Sequence, residues 1–430
     1  MYSSISSYFD VEQKLLSMPR FQDVGGRAAR FGIDQISEFC DSIGNPQNAY
    51  KIIHVAGTNG KGTVCSIIAS LLKEAGFKTG LYTSPHLIDV RERFRINGDM
   101  IEKDQIVKCY KEFESVLDEY PLTFFELTTA MAFRLFEMEQ VDFAVIETGL
   151  GGRLDATNVV NPVGCAITSI GFDHMEQLGN SLESIAFEKA GILKKGVPFT
   201  VGDVPSKAFD VILTQAYAVN AQKIEKIVDV QTVSDGSLTL SYGNHNSSIV
   251  CDLNTPKIEE NISIALDLLL SVFGNGVLTS EVVTRGLMNI RKNSGLLGRF
   301  EKLATNQDWY FDGGHNPEAL KQVSDHLERK FPNRPKNVVI SLMSDKLSQE
   351  IIELLQTFDQ VFFYEIDSPR ALKAVDFIEK CRNAKNIGLN STEIKKNLLE
   401  LKSTLVLFTG SFYFYSTATE WMESLSLDSN

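Results

Sequence analysis

Six cysteines, at 40, 65, 109, 165, 251 and 381, are the only thiols in 430 residues, and none falls in a CxxC pair or at a metal-ligand spacing. That scatter fits unpaired thiols in a reducing compartment and argues against a disulfide framework or a cysteine-held zinc. Long apolar runs are missing as well: no stretch approaches the ~18 residues needed to span a membrane. Residues 1–16 are polar and carry acidic groups, with no basic-then-apolar signal segment, so a cytoplasmic protein is the expectation. Positive charge is scarce. The balance of 42 Lys+Arg against 55 Asp+Glu leaves −13, which argues against non-specific nucleic-acid or anionic-membrane binding. It does not exclude a local basic cluster holding a small anion. Internal repeats and low-complexity segments are absent, and only the tail at 424–430 is polar enough to fray.

What is present is ordinary in bulk and specific in detail. A chain of this length, 43% hydrophobic and 23% charged, exceeds one comfortable core, so two domains are expected. Apolar runs at 52–56, 78–83, 143–146, 165–169 and 198–201 alternate with helical patterns at 64–75, 105–119 and 125–139, which predicts parallel strands joined by crossover helices. Residues 228–242, with Asp235-Gly236 at the turn, predict a hairpin, and 258–273 a helix. The glycine- and basic-rich passage 291–299 shows little periodicity and reads as a linker. A second β/α series follows, with strands at 309–311, 338–342, 361–364 and 405–408. The boundary is drawn between domains 1–295 and 296–430.

The strand at 52–56 runs into Gly57-Thr58-Asn59-Gly60-Lys61-Gly62-Thr63 and then a helix. Small residues let backbone N–H groups close on an anion, the helix N-terminus favours negative charge, and Lys61 supplies a mobile cation. The segment therefore predicts a triphosphate loop. It departs from the common pattern, because the spacing to the lysine is shorter and Gly62 stands where a magnesium-binding hydroxyl is usual. Other residues must complete the metal site.

Glu147 ends an apolar strand and opens the glycine-rich loop Thr148-Gly149-Leu150-Gly151-Gly152-Arg153-Leu154-Asp155-Ala156-Thr157-Asn158, at the edge where open α/β sheets bind ligands. An isolated glutamate there reads as a solvated loop acid. Beside a phosphate loop it suits magnesium, a hard cation that takes oxygen ligands. Ser84, just beyond the 78–83 strand, reads either as a turn serine or as the hydroxyl that Gly62 lacks. Taken singly, His174 reads as a loop hydrogen-bonder and Lys189 as a solvated helix lysine. In the second series, Asp312-Gly313-Gly314-His315-Asn316-Pro317 follows a strand and opens a helix at Pro317; a glycine turn with a helix cap explains it as well as function does. Polar edges of this kind, one per domain, suit the two sides of a cleft.

Taken together, the Gly57–Thr63 loop, Tyr82-Thr83-Ser84-Pro85-His86-Leu87, the Glu147 loop, Asp173-His174, Glu188-Lys189-Ala190-Gly191-Ile192, Gly298-Arg299 and the Asp312 loop resemble, in order, the motifs of the folylpolyglutamate synthase/dihydrofolate synthase family of the Mur ligase superfamily. Gly62 and the Glu147 loop separate this branch from other Mur ligases. The resemblance covers residues 20–415. It implies a two-domain α/β fold: an N-terminal P-loop ATPase domain with a mainly parallel sheet, and a smaller Rossmann-like C-terminal domain.

The implied activity is ATP-dependent ligation of L-glutamate to a folate or to dihydropteroate through an acyl phosphate, by a monomer. The implied roles follow the motifs. Lys61 and the Gly57–Thr63 backbone hold phosphates; Ser84 and Glu147 ligate one magnesium; His174 and an N6-carboxylated Lys189 serve a second. Asn261 lies by the adenine, Arg299 at the phosphates and Asp312 at the ribose. His315 and Ser411 attend the acyl phosphate and glutamate, and Phe124 lies near the pteridine, where core packing explains an aromatic equally well. Gly314 stands where the family generally has alanine, and residues 25–31 match its usual N-terminal segment only loosely. The competing readings are a Mur-type ligase acting on a cell-wall precursor and a nucleotide switch without ligase activity. Closure of the two domains about 291–299 is a further expectation.

Overall fold

The apolar runs at 52–56, 78–83, 143–146, 165–169 and 198–201 become strands, and three short strands that no apolar run announces join them. Lys51–Ala56 (β1), Thr79–Tyr82 (β2), Phe94–Ile96 (β3), Asp99–Met100 (β4), Phe143–Glu147 (β5), Gly164–Ile167 (β6), Pro198–Val201 (β7) and Gln222–Lys223 (β8) form one sheet of order β4-β3-β2-β5-β1-β6-β7-β8 in the computed structural model. It describes residues 5–19, 32–233, 236–243, 245–274, 276–304 and 307–427; the 25–31 segment, Asp235 of the expected turn and the final residues 428–430 lie outside these. The sheet is parallel except where β3 joins β2 and β4.

Parallel strands need cover on both faces, and alternation along β1 and β5 supplies it. Ile53, Val55 and Val145 face a core shared with Val64, Ile67 and Leu71 of the Lys61–Glu74 helix and with Ile262, Leu266 and Leu269 of the Ile258–Phe273 helix. Ile52, Ala144 and Ile146 face the opposite core, with Phe133 and Phe136 of the Phe124–Met138 helix. From β1 the chain moves out past β5 to β2, and from β5 it returns across β1 to β6, so the connections part beside β1. In open α/β sheets that point, at the strands' carboxyl ends, is where ligands bind.

The 228–242 hairpin exists as Asp229–Thr232 (β9) against Leu238–Tyr242 (β10), and a third strand, His245–Ile249 (β11), completes a small antiparallel sheet. The passage expected to be a linker is in part a helix, Ile290–Ser294. Tertiary bonds fix it where periodicity is too short to register. Asn293 Nδ2 donates to Ser70 Oγ (3.0 Å) and Glu74 Oε1 (2.8 Å), and Gly295, at φ +66°, ends the turn. The tail expected to fray stays helical through Leu427, in Tyr415–Leu427.

The chain divides into two compact units, one of residues 1–253 and 258–296, the other of 254–257 and 297–430. In the second, Glu301–Lys302 (β12), Trp309–Asp312 (β13), Lys336–Ile340 (β14), Gln360–Phe363 (β15), Ala384–Asn386 (β16) and Leu405–Thr409 (β17) take the order β12-β13-β17-β14-β15-β16. All pair in parallel except β12. The last strand fills the place between β13 and β14, so β13, β17 and β14 present their carboxyl ends side by side. Among the described residues no helix is long and apolar enough to cross a membrane.

Candidate active site

β1 stops at Ala56 and the Lys61–Glu74 helix begins at Lys61, so Lys61, Gly62 and Thr63 form the first helical turn, whose N–H groups lack intrahelical acceptors. Two glycines make the bend possible. Gly57 has φ +154°, and a Cβ there would lie 1.9 Å from Thr168 Oγ1; Gly60 has φ +86°. The end of β6 braces the loop: Thr58 N–H donates to Ser169 O (2.9 Å), Asn59 N–H to Ser169 Oγ (2.9 Å), and Thr168 Oγ1 donates to Asn59 O (2.6 Å).

Two amines meet on one carbonyl in this loop. Lys61 Nζ donates to Gly57 O (3.1 Å) and Thr58 O (3.3 Å), while Lys189 Nζ donates to the same Gly57 O at 2.8 Å. Lys189 sits on the Leu182–Ala190 helix and is only 4% exposed, unlike the solvated lysine that helical position suggests. Burial and, after it, repulsion from Lys61 bring its amine down to about 7, against the opposing pull of Asp173 and Asp155.

Glu147 is the last residue of β5 and is buried. Ser84 follows β2 by two residues, and its N–H donates to Glu147 Oε2 at 3.0 Å, which brings the serine and the carboxylate together. Both are oxygen donors, and this pair fits a hard cation that takes its remaining oxygens from phosphate and water. Among the described residues no three His, Cys, Asp or Glu side chains converge as a metal cluster, so no all-protein cage is present. His174 stands beyond β6 at the position just before a short helix, Met175–Leu178, at φ +49°. Its N–H donates to Asp173 Oδ1 (2.9 Å), and its Nε2 lies 3.9 Å from that oxygen.

The loop after Glu147 is organised by Asp155, which the motif contains but which drew no role. Its carboxylate accepts from Leu150 N–H (2.7 Å), Thr157 N–H (3.0 Å) and Thr157 Oγ1 (2.5 Å). Thr157 Oγ1 lies in turn 2.8 Å from Nε2 of buried His54 on β1. Since that hydroxyl gives its proton to Asp155, the histidine is the donor. Burial raises Asp155, and burial followed by the charge of Lys194 lowers His54 to about 3.

Asn261, on the Ile258–Phe273 helix, is buried against the loop; a Cβ on Gly60 would come 2.9 Å from its Oδ1. Phe124, capped by Thr123 at the start of the Phe124–Met138 helix, is 6% exposed, with the Arg93 guanidinium 5.1 Å from its ring centre. Arg93 Nε donates to His86 Nδ1 at 2.8 Å. His86 lies in the Tyr82–Leu87 motif without a role of its own, and Arg93 has no sequence signal, since a buried arginine looks like any other.

The second unit gathers Arg299, Asp312, His315 and Ser411. Asp312 ends β13 and is buried, accepting from Phe300 N–H (2.9 Å) and Gly314 N–H (2.8 Å). Burial raises its carboxyl, against Arg299 and the two amides. His315 Nδ1 lies 3.0 Å from Gly313 O, and Asn316 caps the Pro317–Lys330 helix through Ala319 N–H (2.9 Å). Beyond β17, Ser411 Oγ accepts from Tyr413 N–H at 3.2 Å. The Arg299 guanidinium lies 4.4 Å from the ring centre of Phe412, a residue without a sequence signal of its own.

Residues 55–206 match the family described as Mur ligase middle domain, and residues 298–412 that described as Mur ligase, glutamate ligase domain. A dihydrofolate synthase/folylpolyglutamate synthase of Bacillus subtilis is 33% identical over 403 residues, covering 90% of this chain and 93% of that protein. The structure of Escherichia coli FolC in complex with DHPP and ADP is 27% identical with a TM-score of 0.83, covering 100% of both chains. That of a bifunctional folylpolyglutamate synthase/dihydrofolate synthase with Mn, AMPPNP and L-glutamate bound is 27% identical with a TM-score of 0.81, covering 98% of each chain. With both Mur ligase domains in sequence and a full-length relative at this identity, the chain belongs to the folylpolyglutamate synthase/dihydrofolate synthase family.

Proposed function

We propose that this protein is an ATP-dependent ligase that joins L-glutamate to a folate, to dihydropteroate or to both. The observation that carries the reading is the meeting of Lys61 and Lys189 on the Gly57 carbonyl, beside the linked pair Ser84 and Glu147. Two relatives support the substrates: one binds DHPP and ADP, the other AMPPNP and L-glutamate.

An oxygen of the acid's carboxylate attacks the γ-phosphorus of ATP, and ADP leaves with the bridging electron pair. The amine of L-glutamate then forms the C–N bond, phosphate departs with the acyl C–O pair, and the ammonium's surplus protons pass to phosphate and solvent. The first step brings anions together, so it depends on charge neutralisation and alignment. The first-turn amides and Lys61 hold the phosphates, with Asn261 toward the adenine. Arg299 reaches the phosphates and Asp312 the ribose. His315 and Ser411 serve the acyl phosphate and the incoming glutamate, and Phe124 the pteridine.

Ser84 and Glu147 would hold one magnesium, and His174 with an N6-carboxylated Lys189 a second. Bound there, magnesium supplies phosphate-charge neutralisation without a proton. The amine of Lys189, brought down to about 7, supports carboxylation. An unprotonated nitrogen attacks the carbon of CO2, one C=O electron pair moves to oxygen, and the nitrogen loses a proton. A cation that would repel a metal becomes an anion that ligates one. A monomer acting in the cytoplasm completes the reading.

The test is ADP release by the purified protein with each component left out in turn. Release should require both a pteroate- or folate-type acid and L-glutamate; release that continues unchanged without either overturns the ligase reading. Dihydropteroate and tetrahydrofolate assayed side by side assign the acid.

A further inference from the structure

We infer that Phe412 is a positioning residue for ATP, acting through Arg299. This rests on the reading of Arg299 as a phosphate ligand and names what aims it.

Arg299 follows Gly298 in an irregular stretch before β12 and is half-buried. An arginine on such a stretch has several rotatable bonds and no regular element to fix it. Phe412 restricts it, because the guanidinium lies over the ring at 4.4 Å, within range for a cation–π contact that also orients a planar cation.

The ring is itself held. A Cβ at Gly313 would lie 2.0 Å from Phe412 Cε1, so the ring occupies the space that any side chain at 313 would take. His315 meets it edge-on, with ring centres 6.1 Å apart. Ser411 Oγ accepts from Tyr413 N–H and so caps the Phe412–Phe414 turn. Glu301 ties the same region together, accepting from Gly298 N–H (2.6 Å) and from Tyr415 Oη (3.0 Å). One aromatic ring thus touches or adjoins Arg299, the Asp312–His315 loop and Ser411, three segments more than a hundred residues apart at the extremes.

The experiment is a double-mutant cycle on the full-length protein, with KM for ATP and kcat measured for Arg299→Ala, Phe412→Leu, Phe412→Tyr and the pair Arg299→Ala with Phe412→Leu. Loss of the ring should raise KM for ATP by about threefold to thirtyfold, with kcat changed far less. Phe412→Tyr should restore the wild-type KM, and Phe412→Leu should add nothing in the Arg299→Ala background. Should Phe412→Leu melt at a lower temperature than the assay allows, Phe412→Met, which keeps most of the volume without the ring, takes its place in the cycle. A raised KM in Arg299→Ala with a normal KM in Phe412→Leu overturns this inference alone, as do additive effects. A normal KM in Arg299→Ala overturns the phosphate reading of Arg299 and this inference with it.

Discussion

The two units use the same place in an α/β sheet, the carboxyl ends of parallel strands, and differ in whether an amine is buried there. In the first, a buried amine, Lys189, shares Gly57 O with Lys61, and the same edge also buries the carboxylates Glu147 and Asp155. In the second a buried carboxylate, Asp312, accepts two backbone N–H bonds and stands without such an amine among the described residues. The cation of the second edge, Arg299, is only half-buried and rests on an aromatic ring. A group sunk in the backbone holds its loop in shape and has its own ionisation altered by burial. Beside the ligand roles proposed for them, Lys189 and Asp312 therefore hold their loops in shape, whereas the proposed role of Lys61 and Arg299 is to meet phosphate.

The largest effect should come from Lys61, the proposed phosphate ligand of the first edge. Lys61→Ala removes the cation proposed to meet the transferring phosphate, and kcat should fall by about a hundredfold or more, as for other groups that stabilise transition-state charge. Single-turnover ADP formation measures it. A loss below tenfold would place Lys61 among the loop's supports and erase the contrast with Lys189.

Lys189 should respond to pH and CO2 together. Its amine titrates near 7, so below that pH protonation removes the nucleophile and the carbamate releases CO2. Activity of protein equilibrated with CO2 should therefore fall roughly tenfold per unit below that pH, and CO2-depleted protein should be slow until bicarbonate is added. Lys189→Ala should be equally slow and indifferent to bicarbonate. A bicarbonate-insensitive wild type would sink the carboxylation.

Much of the fold is legible because its strands are apolar runs bounded by glycine, and β1, β5, β13 and β17 fall within a residue or two of those runs. The phosphate loop is legible because glycine, lysine and helix start lie within seven positions. What escapes depends on partners far along the chain. His54 and Thr157 are 103 residues apart, and although Thr157 lies in the Glu147 motif, nothing local shows that the two meet. Lys189 sits in a helical pattern that signals solvent, and its burial comes from the loop it meets. Helix Ile290–Ser294 is too short for periodicity and exists through Asn293's bonds to Ser70 and Glu74.

On the second edge, Asp312→Asn tests whether a buried anion is needed there. The carboxylate satisfies the N–H groups of both Phe300 and Gly314, and asparagine can accept only with one of its two terminal atoms. One amide is left facing a donor, so the turn that carries His315 should shift. The KM for ATP should rise about tenfold, in line with one lost buried hydrogen bond to a charged group. An unchanged KM would separate Asp312 from nucleotide binding.

The smallest effect leaves turnover aside and reads the pH dependence of stability. His54 stays neutral in the folded protein down to about 3, against 6.5 for an unperturbed imidazole, because it is wholly buried and lies near Lys194. Between those values the unfolded chain takes up a proton that the folded protein refuses, so stability falls as pH falls through this window, and above 6.5 the residue has no effect. The slope from this one group is at most about 1.4 kcal/mol per pH unit. His54→Gln keeps a donor for Thr157 Oγ1 and cannot charge. Urea unfolding of the two proteins at a series of pH values should give curves that run parallel above 6.5 and diverge below it, the wild type losing stability faster, since the carboxylates common to both cancel in the difference. Parallel curves throughout would mean that solvent reaches His54, and that the chain from β1 to the Asp155 loop is looser than its 2.8 Å and 2.5 Å links imply.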